Sequence, residues 1–222
     1  MESVSPVQRL REARGTARAD IPSRRAQLPP ALQEFHRSVL RAFLAMGRPP
    51  HVSELRASAT ELGLAPDDAL ERLADADLVH AGPDGHIAVA YPFSGSDRGV
   101  HVRHNGGAEV WAMCAIDALG IPQMWGGDVV IDAVDPFSQE AVQVESRDGR
   151  LSWRPEEAVV LLADNGCGPT SAESTCPLIT FHASEQNALS HLKSLPGAKG
   201  EILSQGKASD LAGHLFAGLL SG

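Results

Sequence analysis

Three helix-like segments followed by a hairpin signal constrain the fold of this chain more than any other sequence feature. The segment PALQEFHRSVLRAFLAMG repeats apolar residues with the period of an amphipathic helix, and Gly47 ends it. A second segment, HVSELRASATELGL, has a candidate cap at Ser53, and a third spans about residues 66–76. A Pro-Asp-Gly turn at 83–85 separates two short apolar runs and indicates a hairpin. Together they predict a winged helix-turn-helix unit over residues 29–92.

A winged helix raises the question of DNA binding. Its third helix, PDDALERLADAD, is acidic along its length, and the formal net charge of the chain is −9. Phosphate contacts supply most of the affinity of DNA-binding proteins, and these charges would repel phosphate. We therefore expect a packing module and no nucleic-acid partner. A DNA-binding regulator with an appended sensor domain remains an alternative.

The segments that flank the helical unit complete the predicted organisation. Residues 1–28 are polar and arginine-rich, which predicts a disordered or loosely docked tail. Residues 93–222 are predicted to form an α+β catalytic domain. There, GDVVIDAVD, AVQVESRDG and EEAVVLLAD predict an antiparallel sheet, residues 178–181 a further strand, and the C-terminal region two helices. The expected fold class is α+β, with a winged-helix-like unit followed by a mixed or antiparallel sheet domain flanked by helices.

The location of the protein is predicted from its apolar runs. None approaches the roughly 18–20 residues of a membrane span. The N-terminal sequence MESVSPVQRLREARG lacks the apolar core of a signal peptide. We therefore expect a cytoplasmic protein without a membrane partner.

The stretch EVWAMCAIDALGIP, residues 109–122, is predicted to be a helix that ends near its Ile-Pro pair. It carries Cys114 and Asp117, whose i,i+3 spacing places their Cβ atoms about 5–6 Å apart on one helix face. An aspartate on an apolar helix face lowers stability unless it is hydrogen-bonded. Cys176 follows a Gly/Ser/Thr-rich loop at the start of the next predicted strand. If the fold brings Cys176 opposite Cys114, the site holds two thiols and one carboxylate.

Two thiols and a carboxylate limit the chemistry of such a site. The chain has three cysteines, which is too few for a disulfide framework. Structural zinc needs four ligands, whereas a very soft metal accepts two thiolates. A carboxylate is a weak base for a thiol, with a mismatch of roughly 6 kcal/mol. A metal on the sulfur removes that mismatch, because coordination deprotonates the thiol.

Two segments, WAMCAIDALGIP and STCPLITFHAS, resemble the organomercurial (alkylmercury) lyase family. The resemblance runs from about residue 30. It includes the winged-helix unit, the YPFS linker, the Cys-x-x-Asp segment and the strand that follows the second cysteine. Both cysteine segments in this order are more specific than Cys-x-x-Asp alone.

The resemblance implies roles for the site residues. Cys114 matches the cysteine that attacks mercury, Asp117 matches the aspartate that carries a proton, and Cys176 matches the second thiol. It implies protonolysis of the carbon–mercury bond of a small organomercurial, which releases a hydrocarbon and leaves Hg(II) on the thiolates as metal ligands. Asp117 is a further candidate ligand. Cellular thiols would remove Hg(II), with a mercuric reductase as a candidate recipient, and no organic cofactor is required.

The sequence also departs from the family pattern. Met113 stands where the family commonly has tryptophan directly before the helix cysteine, and a tryptophan occurs at Trp111 instead. Pro177 stands where a further cysteine often follows the strand cysteine, and a family cysteine is missing around residues 132–136. Cys167, nine residues before the strand cysteine, is additional and is a candidate metal ligand.

Three side chains are candidates for a pocket that holds the organic group: Trp111, Met113 and Phe181. A second interpretation keeps the fold but changes the activity, so that the protein binds soft metal ions or acts on another small molecule without carbon–mercury cleavage. Asp117 distinguishes the two, because metal storage needs no proton carrier.

Overall fold

The computed structural model describes residues 20–164 and 170–221. The N-terminal elements, in chain order, are α1 (Ile21–Ala26), α2 (Pro30–Met46), α3 (Val52–Glu61), α4 (Pro66–Asp75), β1 (Val79–Ala81) and β2 (Ile87–Ala90). Helices α2 to α4 and the β1–β2 hairpin match the three helices and the hairpin predicted from the sequence. This part of the fold is therefore a winged helix-turn-helix arrangement.

Local signals explain where these helices begin and end. A proline opens α2, and Gly47 ends it in the left-handed region at φ 62°. The predicted cap at Ser53 is wrong by two residues. His51 is the N-cap of α3, and its ring accepts from the Ser53 amide while the Glu54 carboxylate accepts from the His51 amide. A histidine ring thus replaces the usual hydroxyl in a capping box.

Helix α1 falls within the predicted tail. Ile21 and Arg24 of this helix are buried, and Arg24 Nη1 lies 2.8 Å from Asp77 Oδ2. Residues 20–28 are thus packed more tightly than the tail prediction supposes, and residues 1–19 of that prediction lie outside the described residues.

A single antiparallel sheet connects the helical unit to the rest of the chain. Its further elements are β3 (Phe93–Ser94), β4 (Val100–His104), β5 (Glu109–Ala112), β6 (Val129–Val134), β7 (Ala141–Arg147) and β8 (Arg150–Arg154). The strand order is β1-β2-β3-β5-β4-β6-β7-β8. One hydrophobic core extends from α2 through this sheet to the C-terminal helices. The boundary predicted at residue 92 stays a prediction, and it falls between two paired strands.

The C-terminal region forms a second, smaller sheet with its helices. Its elements are β9 (Val159–Asp164), α6 (Ser171–Ser174), a 3₁₀ turn (Cys176–Leu178), β10 (Ile179–His182), α7 (Glu185–Ser194), β11 (Lys199–Leu203) and α8 (Gln205–Phe216). Strand β9 was predicted to join the same sheet as β6 and β7, but it lies at the centre of the order β10-β9-β11. The four central residues of β9 are all buried, whereas buried and more exposed residues alternate along β6 and β7. A continuous apolar strand is typical of a sheet that is covered on both faces.

The stretch 109–122 is not one helix, which corrects the sequence prediction. Residues 109–112 form β5, which pairs with β3 and β4, and helix α5 (Ala115–Trp125) begins after Cys114. The strand contains Val110 and Trp111, residue types that fit a pleated sheet, and cross-strand pairing overrides the helical pattern. At the other end, Pro122 does not terminate the helix.

Helix α5 passes through the interior and fixes the position of the site. Nine of its eleven residues are buried. It packs against α8, where Gly120 lies so close to the Phe216 ring that no Cβ would fit. An apolar helix enclosed on all sides is a rigid support for the side chains at its N-terminus.

The buried histidine of α2 predicts acid sensitivity. Burial, followed by the positive charges of nearby arginines, lowers the pKa of His36 to about 3 from 6.5. In this window the unfolded chain binds a proton that the folded chain does not, so stability falls as the pH drops. We expect His36→Leu to flatten this dependence by about 1.4 kcal/mol per pH unit. Urea unfolding at several acidic pH values measures it, with the exposed His214 replaced as control. Parallel stability–pH curves for His36→Leu and wild type would contradict the assignment.

Candidate thiol–carboxylate site

The three residues predicted to form the site lie together in the structure. Single ligand atoms of Cys114, Asp117 and Cys176 all lie within 4.8 Å of one another, and all three side chains are buried. Cys114 Sγ donates to Asp117 Oδ2 at 2.8 Å, and Cys176 Sγ donates to the same oxygen at 3.8 Å. Both thiols therefore share one carboxylate oxygen.

The position of each side chain follows from its element. Cys114 is the N-cap of α5 and has extended backbone angles, so it belongs to the bend between β5 and the helix. Asp117 lies in the first turn, where the helix dipole favours a carboxylate. Cys176 opens the 3₁₀ turn that leads into β10. Two separate parts of the chain, the start of α5 and the 3₁₀ turn, thus converge on one point in the interior.

Burial and negative charge keep the Cys114 thiol protonated. Loss of solvent is the largest cause that raises the pKa of Cys114 well above its ordinary value, followed by the hydrogen bond with Cys176 and the charge of Asp117. A thiolate is the form that attacks an electrophile or binds a metal. The metal-free site is thus poorly suited to nucleophilic attack on an ordinary carbon electrophile at neutral pH.

A soft metal ion changes this balance. Coordination deprotonates a thiol outright, and Asp117 already accepts the hydrogen of each thiol. The arrangement can bind a thiophilic ion between two sulfurs while one carboxylate receives a proton. The described residues contain no second group of three or more His, Cys, Asp or Glu side chains that could hold a metal.

The predicted pocket residues have different surroundings. Met113 is buried directly before Cys114, and Phe181 is buried with its ring against Trp153 at 5.6 Å between centroids. Trp111 is half-buried on β5 and contacts the His101 ring at 4.4 Å. Side chains alternate along a strand, so Trp111 lies on the opposite face of β5 from the buried side chain of Ala112. The assignment of these residues to a substrate pocket stays a prediction.

Two further positions at which the sequence departs from the family pattern are the additional Cys167 and the region around residues 132–136. Cys167 lies outside the described residues. In the region that lacks the family cysteine, Asp135 is fully buried and accepts from the Ala183 amide and the Asn187 side chain at 2.9 Å each. Its carboxylate also lies 2.9 Å from the ring of the buried His182. This aspartate joins β6 to the segment after β10, so its role in the fold is structural.

Sequence reasoning missed a tyrosine beside the site. Tyr91 is almost completely buried, and burial is the largest cause that raises its pKa, followed by Coulombic interactions with Cys176, Asp77 and Asp117. Its hydroxyl donates to Asp77 Oδ1 at 3.4 Å. Tyr91 is the single tyrosine of the chain and belongs to the quoted YPFS linker, which was the available signal.

Fold and site together define a class of protein: an α+β protein with a buried group of two thiols and one carboxylate that could hold a metal ion. The family model described as alkylmercury lyase matches residues 93–217 of the 222, and the chain belongs to this family. The crystal structure of the mercury-bound form of MerB2 is similar, with a TM-score of 0.74 and 22% sequence identity. The match covers 90% of this chain and 97% of that chain, which shows the shared fold. No curated protein matches the sequence.

Family membership confirms the resemblance, the fold class and the enzyme class expected from the sequence. The chain is an organomercurial lyase, whose reaction uses no organic cofactor and has Hg(II) as its product ion. Within the described residues, no helix has the length and apolar character to span a bilayer.

Proposed function

We propose that Cys114, Asp117 and Cys176 together cleave the carbon–mercury bond by protonolysis. The observation that carries this assignment is the single oxygen, Asp117 Oδ2, that accepts from both thiols at 2.8 and 3.8 Å. One atom can thereby collect a proton from a thiol and deliver it to a carbon bound to the same mercury.

The reaction begins when Cys114 captures the organomercurial R–Hg–X. A sulfur–mercury bond forms, the mercury–X bond breaks, and the thiol proton leaves with X as HX. Cys114 fits this step because it is the N-cap of a helix whose positive dipole end stabilises a developing thiolate.

Cys176 then binds the same mercury. Its sulfur forms the second sulfur–mercury bond, and its proton moves to Asp117 Oδ2. The protonated carboxyl transfers that proton to the carbon, the carbon–mercury electron pair becomes the new C–H bond, and R–H leaves. Hg(II) remains on two thiolates, and Asp117 is again a carboxylate.

Mercury makes Asp117 competent as a base. A free thiol would lose its proton to a carboxylate only at a cost of roughly 6 kcal/mol from ordinary pKa values. Burial also raises the pKa of Cys114 well above its ordinary value, so the proton that leaves with X stays on this sulfur until mercury binds. Because the sulfur–mercury bond replaces the sulfur–hydrogen bond, proton transfer is coupled to metal capture and does not occur without it.

The proposal also covers the pocket for the organic group and the removal of the Hg(II) product. Met113 and Phe181, which are buried, and Trp111 would line the path of the organic group, with Cys167 as an additional ligand. Small cellular thiols in the cytoplasm would remove Hg(II) from the pair, and a mercuric reductase would consume it. A buried two-thiolate site supports this order, since Hg(II) can leave only by exchange onto competing sulfur ligands.

Headspace analysis tests the reaction directly. Purified protein with excess thiol should release methane from methylmercury and benzene from phenylmercury over many turnovers, in amounts that exceed the protein present. Tight mercury binding without hydrocarbon release would contradict the proposed mechanism and favour a soft-metal binding protein. Substrate with thiol but no protein is the control.

A further inference from the structure

A buried carboxylate outside the catalytic trio connects four parts of the fold. Asp77 follows α4 and has a left-handed backbone with φ 50°. Its Oδ2 accepts from Arg24 Nη1 at 2.8 Å and from Ser171 Oγ at 2.8 Å, and the Ser171 amide lies at 3.3 Å. Its Oδ1 lies 2.8 Å from His80 Nε2 and 3.4 Å from the Tyr91 hydroxyl. We call these five side chains the Asp77 cluster.

The Asp77 cluster is attached to the segment that carries Cys176. Ser171 is the first residue of α6, and this short helix runs directly into the 3₁₀ turn that begins at Cys176. Ser171 is buried and bonds to Asp77 through both its amide and its hydroxyl. The next residue is held from the other side, because Arg98 Nη1 donates to the Ala172 carbonyl at 3.2 Å.

Cys176 lies farther from the shared carboxylate oxygen than Cys114 does. Cys114 and Asp117 belong to one rigid helix start, whereas Cys176 reaches the site from a separate sheet, at 3.8 Å from the shared oxygen. Charge-assisted hydrogen bonds are stronger than neutral ones, and Asp77 supplies them to α6 through Ser171. The Tyr91 hydroxyl donates to Asp77 Oδ1 at 3.4 Å, so the residue that follows β2 bonds to the same carboxylate.

We propose that Asp77 and Ser171 are positioning residues that hold the Cys176 thiol at the distance needed for the second sulfur–mercury bond. Neither residue contacts Cys114 or Asp117 in the described hydrogen bonds. They act through the backbone of α6. This inference rests on the proposed function, because it assigns Cys176 as the second mercury ligand.

The positioning effect is measured by how well the protein retains Hg(II). A misplaced second sulfur leaves mercury on one thiolate for more of the time, so a competing thiol removes it faster. We expect Ser171→Ala to accelerate the transfer of Hg(II) to glutathione about tenfold, which corresponds to about 1.4 kcal/mol. Ser171→Thr, which keeps the hydroxyl, should restore slow transfer.

A double-mutant cycle distinguishes positioning from a general loss of stability. All variants carry Cys167→Ser, so that mercury binding by Cys114 and Cys176 is measured without a third cysteine. Protein loaded with Hg(II) is mixed with glutathione, and the remaining mercury adduct is followed by mass spectrometry. Ser171→Ala should have no further effect once Cys176→Ser is present, since residues that act through one another are not additive. Equal acceleration in both backgrounds, or none in either, would overturn the proposal.

Further variants keep the test decisive. Ser174→Ala removes a hydroxyl from the same helix that bonds to Thr170 and Thr175, and it should leave transfer unchanged. Asp77→Asn retains a residue that tolerates φ above zero and should behave like Ser171→Ala. If Ser171→Ala does not fold, Asp77→Asn decides the question alone by the same criterion. The assay needs no carbon–mercury cleavage, so a wild type that releases no hydrocarbon would contradict the proposed function and leave the positioning result intact.

Discussion

Asp117→Asn will stop hydrocarbon release while leaving mercury capture in place. The amide has nearly the same shape but cannot take a thiol proton and return it to carbon. Loss of a general acid–base group lowers rates by about 10²- to 10⁴-fold, and we expect a fall of this size in kcat. Both sulfurs remain, so the variant should bind Hg(II) with wild-type stoichiometry. Headspace analysis and mass spectrometry of the mercury adduct measure the two effects separately.

A matched carboxylate variant controls for the change in charge. Asp67→Asn removes an exposed carboxylate at the start of α4, where it pairs with Arg56, and it should turn over like the wild type. The proton-carrier role would be wrong if Asp117→Asn kept more than about a tenth of wild-type kcat. It would also be wrong if the variant lost Hg(II) binding together with turnover, because Asp117 would then act mainly as a ligand.

Replacing either thiol should have the largest effect on turnover. Cys114→Ser and Cys176→Ser each exchange a soft sulfur for a hard oxygen that does not bind mercury comparably. We expect each to lower multiple-turnover hydrocarbon release on the order of 10³-fold or more, and the double variant to be no worse than either alone. When two groups act in one step, removing the first already abolishes that step, so removing the second as well lowers the rate no further. Headspace measurements on the three variants test this.

The two thiol variants should differ in what they capture. Cys176→Ser keeps the first thiol and should form a stable adduct that retains the organic group, visible as the added mass of R–Hg. Cys114→Ser should form less of that adduct at the same substrate concentration. Cys167→Ser, measured beside them, shows how much of either adduct depends on the additional ligand that we propose. Equal adduct formation by both variants would contradict the proposal that Cys114 attacks mercury before Cys176 does.

Much of the site could be predicted from residue types and spacing. Cys114 and Asp117 are three residues apart, and this spacing brings them within hydrogen-bond distance even though Cys114 is the N-cap of α5 and not, as the sequence pattern predicts, part of a helix face. Cys176 lies 59 residues after Asp117, and its approach depends on the pairing of β9 with β10, which no local pattern encodes. The resemblance to a known family supplied that contact, and the structure brings the two thiols to one oxygen.

The errors in the fold arise where long-range pairing overrides local preference. Residues 109–112 match a helical pattern, yet they complete the sheet between β3 and β4. Strand β9 reads like its neighbours in sequence, but its two buried faces assign it to a second sheet. The role of Asp77 has no local signature, because two of its partners, Arg24 and Ser171, come from distant parts of the chain. Single residues that connect separate elements are therefore the least predictable part of this protein.

The pairing of β2 with β3 has a consequence for how the protein can be divided. The wing of the helical unit is also the edge of the sheet that supports the catalytic helix, with Ala90 opposite Phe93 across the predicted boundary. Phe43 of α2 stacks on Phe93 at 5.2 Å, so the core crosses the same line. A cut there would expose two unpaired strand edges and an apolar face. We therefore expect that separating the helical unit from the rest of the chain at this boundary would destabilise the sheet edge that lies beside the catalytic helix.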